Sequence, residues 1–133
     1  MNKLLFQIRK GRPDNRKYGL EDLFYKYGVD LFYGAHEHTY ERMWPVYDRK
    51  VYNGSLDHPY TNPKAPVHLI VGSAGCFAGV DPFQKKPSEW SARRISDYGY
   101  TRMKIHNSTH LSLEQVSDEK VTQSSSFNGN DNI

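Results

Sequence analysis

The stretch YGLEDLFYKYGVDLFYGA, residues 18–35, decides the fold that the sequence predicts. Its first part, residues 18–28, is predicted to be a helix because its apolar side chains recur at i, i+3, i+4 and i+7. Gly28 is the kind of residue that commonly ends a helix. Residues 29–35 then form a short apolar run, typical of a strand buried on both faces of a parallel sheet. A helix followed by a buried strand predicts an α/β fold. The predicted apolar helix face consists of Leu20, Leu23, Phe24 and Tyr27.

Two histidines follow that predicted strand directly, in AHEHTYER (35–42). If the strand continues, His36 and His38 lie on the same side, because alternate residues of a strand share a face. Open α/β sheets bind their ligands at the carboxyl ends of the strands, and imidazole suits zinc, iron and copper. The pattern therefore predicts a metal site at these histidines. The structural alternative is a pair of buried, hydrogen-bonded imidazoles.

The rest of the chain contains two regions with a clear pattern. Residues 67–75 are predicted to form a second buried strand that ends in a glycine turn. Residues 101–115 alternate apolar and polar side chains around a turn, which predicts an antiparallel hairpin with one covered face. Residues 43–66 and 76–99 lack such periodicity and are predicted to be loops. The polar tail after residue 118 is predicted to be disordered.

The composition limits the classes of protein to which the chain can belong. With 133 residues, of which 14% are aromatic, it is predicted to fold as a single domain or as part of a larger one. The net charge of +3 is small, and the basic run at 10–17 is interpreted as a solvated loop, so no nucleic-acid partner is predicted. Cys76 is the only cysteine, which excludes an internal disulfide, and it is predicted to be a small buried hydrophobe. No stretch predicts a membrane partner, and the apolar run in residues 1–10 is too short to predict a signal peptide.

The segment around the histidines resembles a known signature. GAHEHTYER (34–42) resembles the G-H-x-H-x-Y-E-R motif of the purple acid phosphatases, which are calcineurin-like metallophosphoesterases, with Ala35 where the family usually has glycine. Over residues 9–118 the chain is similar to the C-terminal portion of the animal type 7 acid phosphatases. The other stretches that carry the similarity are RKG (9–11), YGLEDLFYKYGVD (18–30), VYNGS (51–55), PYTNPKAPVHLIVGSAGC (59–76), WSARRISDYGYTR (90–102) and NSTHLSLEQVSD (107–118).

This resemblance implies a fold, a metal centre and a reaction. The fold would be the C-terminal part of a metallophosphoesterase α/β sandwich, with a helix, buried strands and a terminal β-hairpin, incomplete without the N-terminal half. In this family a dinuclear centre of Fe³⁺ with Zn²⁺, Mn²⁺ or Fe²⁺ hydrolyses phosphate monoesters. His36 would bind the divalent ion and His38 the ferric ion. Tyr40, Glu41 and Arg42 would orient the imidazoles or pack around them, and the catalytic residues would lie upstream of this chain.

The resemblance also implies a division of the chain and a location. Residues 1–48 would hold the end of the catalytic core with the H-x-H motif, residues 49–118 the C-terminal region of the family, and residues 119–133 a disordered tail. Two Asn-x-Ser/Thr triplets, at Asn53 and Asn107, are candidate glycosylation acceptors. They suit the secreted or extracellular location that the family implies.

Two histidines leave most of a dinuclear centre unfilled. Four further motifs of the family, D-x-G, G-D-x-x-Y, G-N-H-E/D and V-x-x-H, are not found ahead of the histidines in this chain. We therefore expect a fragment of an acid phosphatase that is inactive by itself. The alternative is a non-catalytic truncated product that binds a full-length phosphatase chain through an exposed sheet edge. Cupins and histidine-triad hydrolases also use H-x-H, but cupins need a second histidine motif, and the triad needs a histidine where this chain has Tyr40.

Overall fold

The computed structural model describes residues 19–52 and 57–119. These residues form a short helix, a four-stranded sheet and two two-stranded sheets. Within them, no helix has the length and apolar character needed to cross a membrane. The elements are α1 (Glu21–Lys26), β1 (Leu31–Gly34), β2 (Tyr40–Met43), β3 (Val46–Tyr47), β4 (Lys50–Val51), β5 (Val67–Val71), β6 (Ser91–Ile95), β7 (Gly99–Ile105) and β8 (Leu111–Ser117).

The four-stranded sheet has the strand order β1-β5-β2-β6. β1 and β5 are parallel, whereas β2 runs antiparallel to both β5 and β6. The parallel pair brings the carboxyl ends of β1 and β5 to the same edge of the sheet, as the sequence predicts for strands that carry a site. The helix and the mixed sheet confirm the predicted α/β fold class.

The core lies on both faces of this sheet. Leu69 and Ile70 of β5 are both buried, and consecutive strand residues point to opposite faces. Ile70 packs with residues of β2, β3 and α1, while Leu69 packs with residues of β2 and β8. Each fully buried side chain of this kind contributes roughly 1.5–3 kcal/mol. The two clusters are centred on Met43, Val46 and Ile70, and on Tyr40, Leu69 and Leu113.

The helix is shorter than predicted and less covered. Phe24 packs against the core and stacks on Phe32, with 5.3 Å between ring centroids. Gly28 has a φ of +63°, which confirms its predicted role as the left-handed residue after the helix. The rest of the predicted apolar face is not covered by the described part of the chain. The exposed members of that face are Leu20, Leu23 and Tyr27.

A buried acid of α1 joins the helix to the β3–β4 hairpin. The Glu21 carboxylate accepts a hydrogen bond of 3.0 Å from the backbone N–H of Asp48. Asp48 and Arg49 both have positive φ angles, of 46° and 66°. This is the backbone conformation of the tight turns that join two-residue hairpins. Part of the predicted loop at 43–66 is therefore a short hairpin fixed by the helix.

The prediction that the strand in 29–35 is buried on both faces is wrong. β1 lies at the edge of the sheet and pairs only with β5 among the described residues. The side chain of Tyr33 is exposed. The strand also ends at Gly34, and residues 36–39 bend away from it. Both predicted metal-binding histidines therefore lie on a loop, and the expectation that strand alternation aligns them is wrong.

The prediction of a loop throughout 76–99 is also wrong, because β6 pairs antiparallel with β2. Its sequence, SARRI, has no alternation of apolar and polar residues that could have indicated a strand. Arg94 is held on this strand by an ion pair with Glu41 of β2, with 2.9 Å between Nε and Oε1. A charged residue thus takes the place that an apolar residue usually has in such a strand.

The predicted terminal hairpin is confirmed. Thr101 lies opposite Gln115, and Ile105 opposite Leu111. Its covered face is uneven, because Leu113 of β8 is buried whereas 45% of Met103 and 72% of Ile105 remain exposed. The predicted tail lies outside the described residues beyond residue 119.

Candidate metal site

The loop between β1 and β2, residues 35–39, carries both histidines of the H-x-H motif. It follows the carboxyl end of β1, where Gly34 is paired with Ile70 of β5. The chain after β5 therefore runs beside this loop. Thr39, at the end of the loop, is buried, and its carbonyl oxygen accepts a hydrogen bond of 3.0 Å from the N–H of Gly72. The loop is thus fixed to the residues that follow β5.

Gly72 allows this close approach because it has no β-carbon. A β-carbon at this position would overlap the backbone carbonyl groups of Ala35 and Glu37. These two residues flank His36, so the backbone that carries this histidine lies directly on Gly72. The sequence predicted a glycine turn after the strand but not this contact, which depends on two segments that are far apart in the chain.

The two histidines have different surroundings. His36 is exposed. His38 is partly covered, with 38% of its side chain exposed, and its Nδ1 lies 3.0 Å from Sγ of Cys76. The prediction that Cys76 is only a buried hydrophobe is therefore wrong, since its half-buried thiol contacts a predicted metal ligand. The structure brings the two histidines onto one short loop, but it leaves one facing solvent and packs the other.

Asp81 forms two hydrogen bonds with the backbone of His38. The His38 N–H donates a hydrogen bond of 2.8 Å to Oδ2 of Asp81. In return, the Asp81 N–H donates one of 3.1 Å to the carbonyl oxygen of His38. The same carboxylate oxygen lies 4.0 Å from Nδ1 of His38. Nothing in the sequence of the loop that contains Asp81 indicated this role.

The segment that contacts His38 is itself anchored to the base of the hairpin. The hydroxyl group of Tyr98 donates a hydrogen bond of 2.9 Å to the carbonyl oxygen of Cys76. The buried hydroxyl of Ser73 donates one of 3.3 Å to the carbonyl oxygen of Gly99. The environment of His38 therefore depends on residues from three separate stretches of the chain.

Tyr40, Glu41 and Arg42, which were predicted to support the imidazoles, are all buried on β2. Oε1 of Glu41 accepts hydrogen bonds of 2.6 Å from the Ser91 hydroxyl and 2.9 Å from Nε of Arg94. These contacts join β2 to β6. The assignment of the three residues to the orientation of the imidazoles stays a prediction.

Two of these buried residues have marked electrostatic surroundings. The guanidinium group of Arg42 lies over the ring of Tyr60, 4.6 Å from its centroid, as in a cation–π contact. Burial raises the pKa of the Tyr40 phenol, and the charge of Arg42 partly opposes this rise. Tyr40 is thus held as a neutral phenol within the core.

The histidines fit a metal site as two of its donors. One exposed and one half-exposed imidazole, on a loop whose backbone packs against Gly72, can bind a transition metal. Among residues 19–52 and 57–119, no group of three or more His, Cys, Asp or Glu side chains is placed to hold a metal ion. The assignment of His36 and His38 as metal ligands stays a prediction.

Of the two candidate glycosylation acceptors, Asn107 lies at the exposed tip of the β7–β8 hairpin. Asn53 lies outside the described residues.

Comparisons with known proteins agree with the resemblance that the sequence carries. Residues 65–125 match the family described as iron/zinc purple acid phosphatase-like protein C. The chain is 63% identical over 115 residues to acid phosphatase type 7 of Danio rerio and 57% identical over 114 residues to that of Homo sapiens. These matches cover 85% and 86% of this chain but 26% of each relative. The chain thus spans about a quarter of the length of the curated relatives it matches.

The fold agrees as well. A purple acid phosphatase from seeds of yellow lupin (Lupinus luteus) has a TM-score of 0.69 to this chain at 23% sequence identity. The match covers 91% of this chain and 21% of the lupin protein. The described residues are thus part of a metallophosphoesterase α/β fold, and the chain belongs to the purple acid phosphatase family. The predicted boundary between residues 48 and 49 stays a prediction.

Proposed function

We propose that the chain forms part of a metal-dependent acid phosphatase that hydrolyses phosphate monoesters. The observation that carries this proposal is the 63% identity to an acid phosphatase type 7 over 115 residues, a stretch that covers 85% of this chain. In this proposal His36 binds the divalent ion, Zn²⁺, Mn²⁺ or Fe²⁺, and His38 the ferric ion of a dinuclear centre. When bound, such a pair of metals polarises the phosphate and lowers the pKa of a bound water.

The residues of this chain fix the backbone of the histidine loop. Gly72 lets the loop pack against the end of β5, and Asp81 binds the backbone of His38 through two hydrogen bonds. Glu41 and Arg94 hold β2, which begins immediately after the loop, against β6. Ligands that are fixed in this way lose little freedom when a metal binds.

The proposal requires donors beyond these two histidines, and it places them, with the catalytic residues, outside this chain. The 133-residue chain alone is then expected to have little phosphatase activity. We further propose a secreted or extracellular location, which is supported by the exposed Asn-Ser-Thr triplet at the hairpin tip.

A chimera tests this function. The matching C-terminal quarter of the Danio rerio acid phosphatase type 7 is replaced by this chain, and hydrolysis of p-nitrophenyl phosphate is measured at acid pH. The chimera should be active, and His36→Ala or His38→Ala should lower kcat/KM about a hundredfold or more, since each removes a metal ligand. His106→Ala, at an exposed position of the hairpin, is the matched control and should keep full activity. A chimera that is folded but inactive, or active without either histidine, contradicts the proposal.

The position of β1 favours a second candidate function, namely binding to a full-length phosphatase chain. One edge of β1 is unpaired among the described residues, and such an edge can accept another strand. Co-purification of tagged 133-residue chain with a full-length acid phosphatase type 7 would support it. Replacing Phe32 of β1 by proline should then abolish the association, whereas equal recovery of the variant would exclude pairing through this edge.

A further inference from the structure

A groove lies at the tip of the β7–β8 hairpin, on a part of the chain that the proposed metal site does not use. Its volume is about 440 Å³, within the range of roughly 300–1,000 Å³ that pockets for small ligands have. Ile105 and Leu111, which face each other across the hairpin, line it together with Pro63. Asp30 and Asn62 also line the groove.

The apolar part of this groove is unusually exposed. Of the Ile105 side chain, 72% is accessible to solvent, although a residue of this type is usually buried. The groove therefore combines exposed apolar surface with acidic and amide residues. That combination suits a ligand with one apolar face and several hydroxyl or amide groups, such as an amino sugar.

Asn107, in the wall of the groove, is placed to carry such a ligand covalently. Its Oδ1 accepts hydrogen bonds of 2.9 Å from the N–H and 3.0 Å from the hydroxyl of Thr109. Nδ1 of His110 lies 3.2 Å from the same oxygen. All these contacts use Oδ1, so Nδ2, which is the atom that takes an N-linked glycan, has no partner among the described residues.

We infer that an N-linked glycan on Asn107 places its first N-acetylglucosamine in this groove, over Ile105. In the transfer, a bond forms between Nδ2 and C1 of the sugar, and the bond between C1 and the diphosphate of a lipid-linked donor breaks. The diphosphate leaves, and Nδ2 releases one proton. The covalent link keeps the sugar at a high local concentration, so even weak contacts with Ile105 and Leu111 hold it there. The sugar then covers apolar surface that the hairpin leaves open.

The experiment uses the full 133-residue chain, secreted from eukaryotic cells behind a cleavable leader. Asn53→Gln leaves Asn107 as the acceptor under test, and the cells are limited to high-mannose glycans. One part of the sample is trimmed with endoglycosidase H, which leaves a single N-acetylglucosamine. Another is treated with peptide N-glycosidase F, which removes the whole glycan and converts Asn107 to aspartate. The Asn107→Asp variant controls for that added charge.

The inference predicts that the single sugar is sufficient for stabilisation. The endoglycosidase-trimmed protein should melt close to the intact glycoprotein, and the fully deglycosylated protein and Asn107→Asp about 2–5 °C lower. Ile105→Ser should abolish this difference between the trimmed and deglycosylated samples. Met103→Ser is the matched control, because Met103 lies two residues earlier on β7 and does not line the groove, and it should keep the difference.

Hydroxyl-radical labelling gives a second readout that does not depend on a cooperative melting curve. The trimmed protein should lose labelling at Ile105 relative to the deglycosylated protein, with labelling at Met103 unchanged. An unmodified Asn107 by mass spectrometry would overturn the inference. Equal melting and equal labelling of the trimmed and deglycosylated proteins would also overturn it, and would indicate that protein from elsewhere covers Ile105.

Discussion

Gly72, at the end of β5, lies directly against the backbone of Glu37, in the loop between the two histidines. The approach is so close that any side chain at residue 72 would overlap the carbonyl groups of Glu37 and Ala35. The position of the H-x-H loop is therefore set by a residue that has no side chain. This contact links the histidine loop to the strand that lies at the centre of the core.

Gly72→Ala should destabilise the protein and displace the histidine loop. The added methyl group meets rigid backbone, so we expect a loss of about 2–3 kcal/mol in the free energy of unfolding, measured by urea denaturation. In the phosphatase chimera the same change should lower activity. Gly28→Ala is the control, because its β-carbon meets open space and only its φ of +63° is unfavourable. It should cost about 1 kcal/mol and leave activity intact, and equal losses of activity in both variants would contradict this explanation.

The fold class and the hairpin were predictable because they depend on local pattern. The helix at 18–28, the strand that contains Leu69 and the alternation in 101–115 each have a period that follows from burial on one or two sides. The strand β6 was not predictable, because its burial depends on the ion pair between Arg94 and Glu41, and these two residues are far apart in the sequence.

The candidate site was predictable only at its motif. The two histidines could be identified from the resemblance of GAHEHTYER to a family signature. Their surroundings could not, because Gly72, Cys76 and Asp81 reach the loop through the pairing of β1 with β5 and through a long connection. The basis for aligning the imidazoles failed for a related reason, because the strand that would have carried both histidines ends at Gly34.

Asp81→Ala should weaken the site more than the fold. The change removes a carboxylate that accepts the N–H of His38, at a position that is about half exposed. We expect a loss of about 1 kcal/mol in the free energy of unfolding. Metal affinity of the chimera, measured by competition with a chelator, should fall about tenfold or more. Asp97→Ala, which removes the acceptor of the Ser117 hydroxyl on the hairpin, should cost similar stability without changing the metal affinity. Unchanged affinity in Asp81→Ala would show that Asp81 does not position His38.

The ion pair between Glu41 and Arg94 should contribute much more to stability than a similar pair on the hairpin. Only 2% of the Glu41 side chain is exposed, so Arg94→Met removes a guanidinium group that pairs with a buried carboxylate. We expect a loss of about 3 kcal/mol, with a smaller loss in the double variant Glu41→Gln/Arg94→Met. Arg102 and Glu114 also pair across two strands, at 2.7 Å, but 58% of the Arg102 side chain is exposed. Arg102→Met should therefore cost roughly 0–1 kcal/mol. Equal losses from the two arginine variants would contradict the role of burial.

His68, in the middle of the core, should make the stability of the fold dependent on pH. Its side chain is 1% exposed and lies 5.8 Å from the ring of Phe32, centroid to centroid. Burial lowers the pKa of His68 from 6.5 to about 4, and the nearby backbone of Val46 opposes part of this shift. The folded protein therefore binds fewer protons than the unfolded chain between these two values. The contribution to stability is fully present above pH 6.5 and is lost as the pH falls towards 4.

A pKa difference of this size corresponds to a loss of roughly 3 kcal/mol between neutral pH and pH 4. Urea denaturation at a series of pH values measures it. His68→Phe keeps an aromatic ring in the core and should remove most of this slope, whatever its effect on stability at neutral pH. His106→Ala, at an exposed position, should leave the slope unchanged. A slope that persists in His68→Phe would assign the acid sensitivity to other groups.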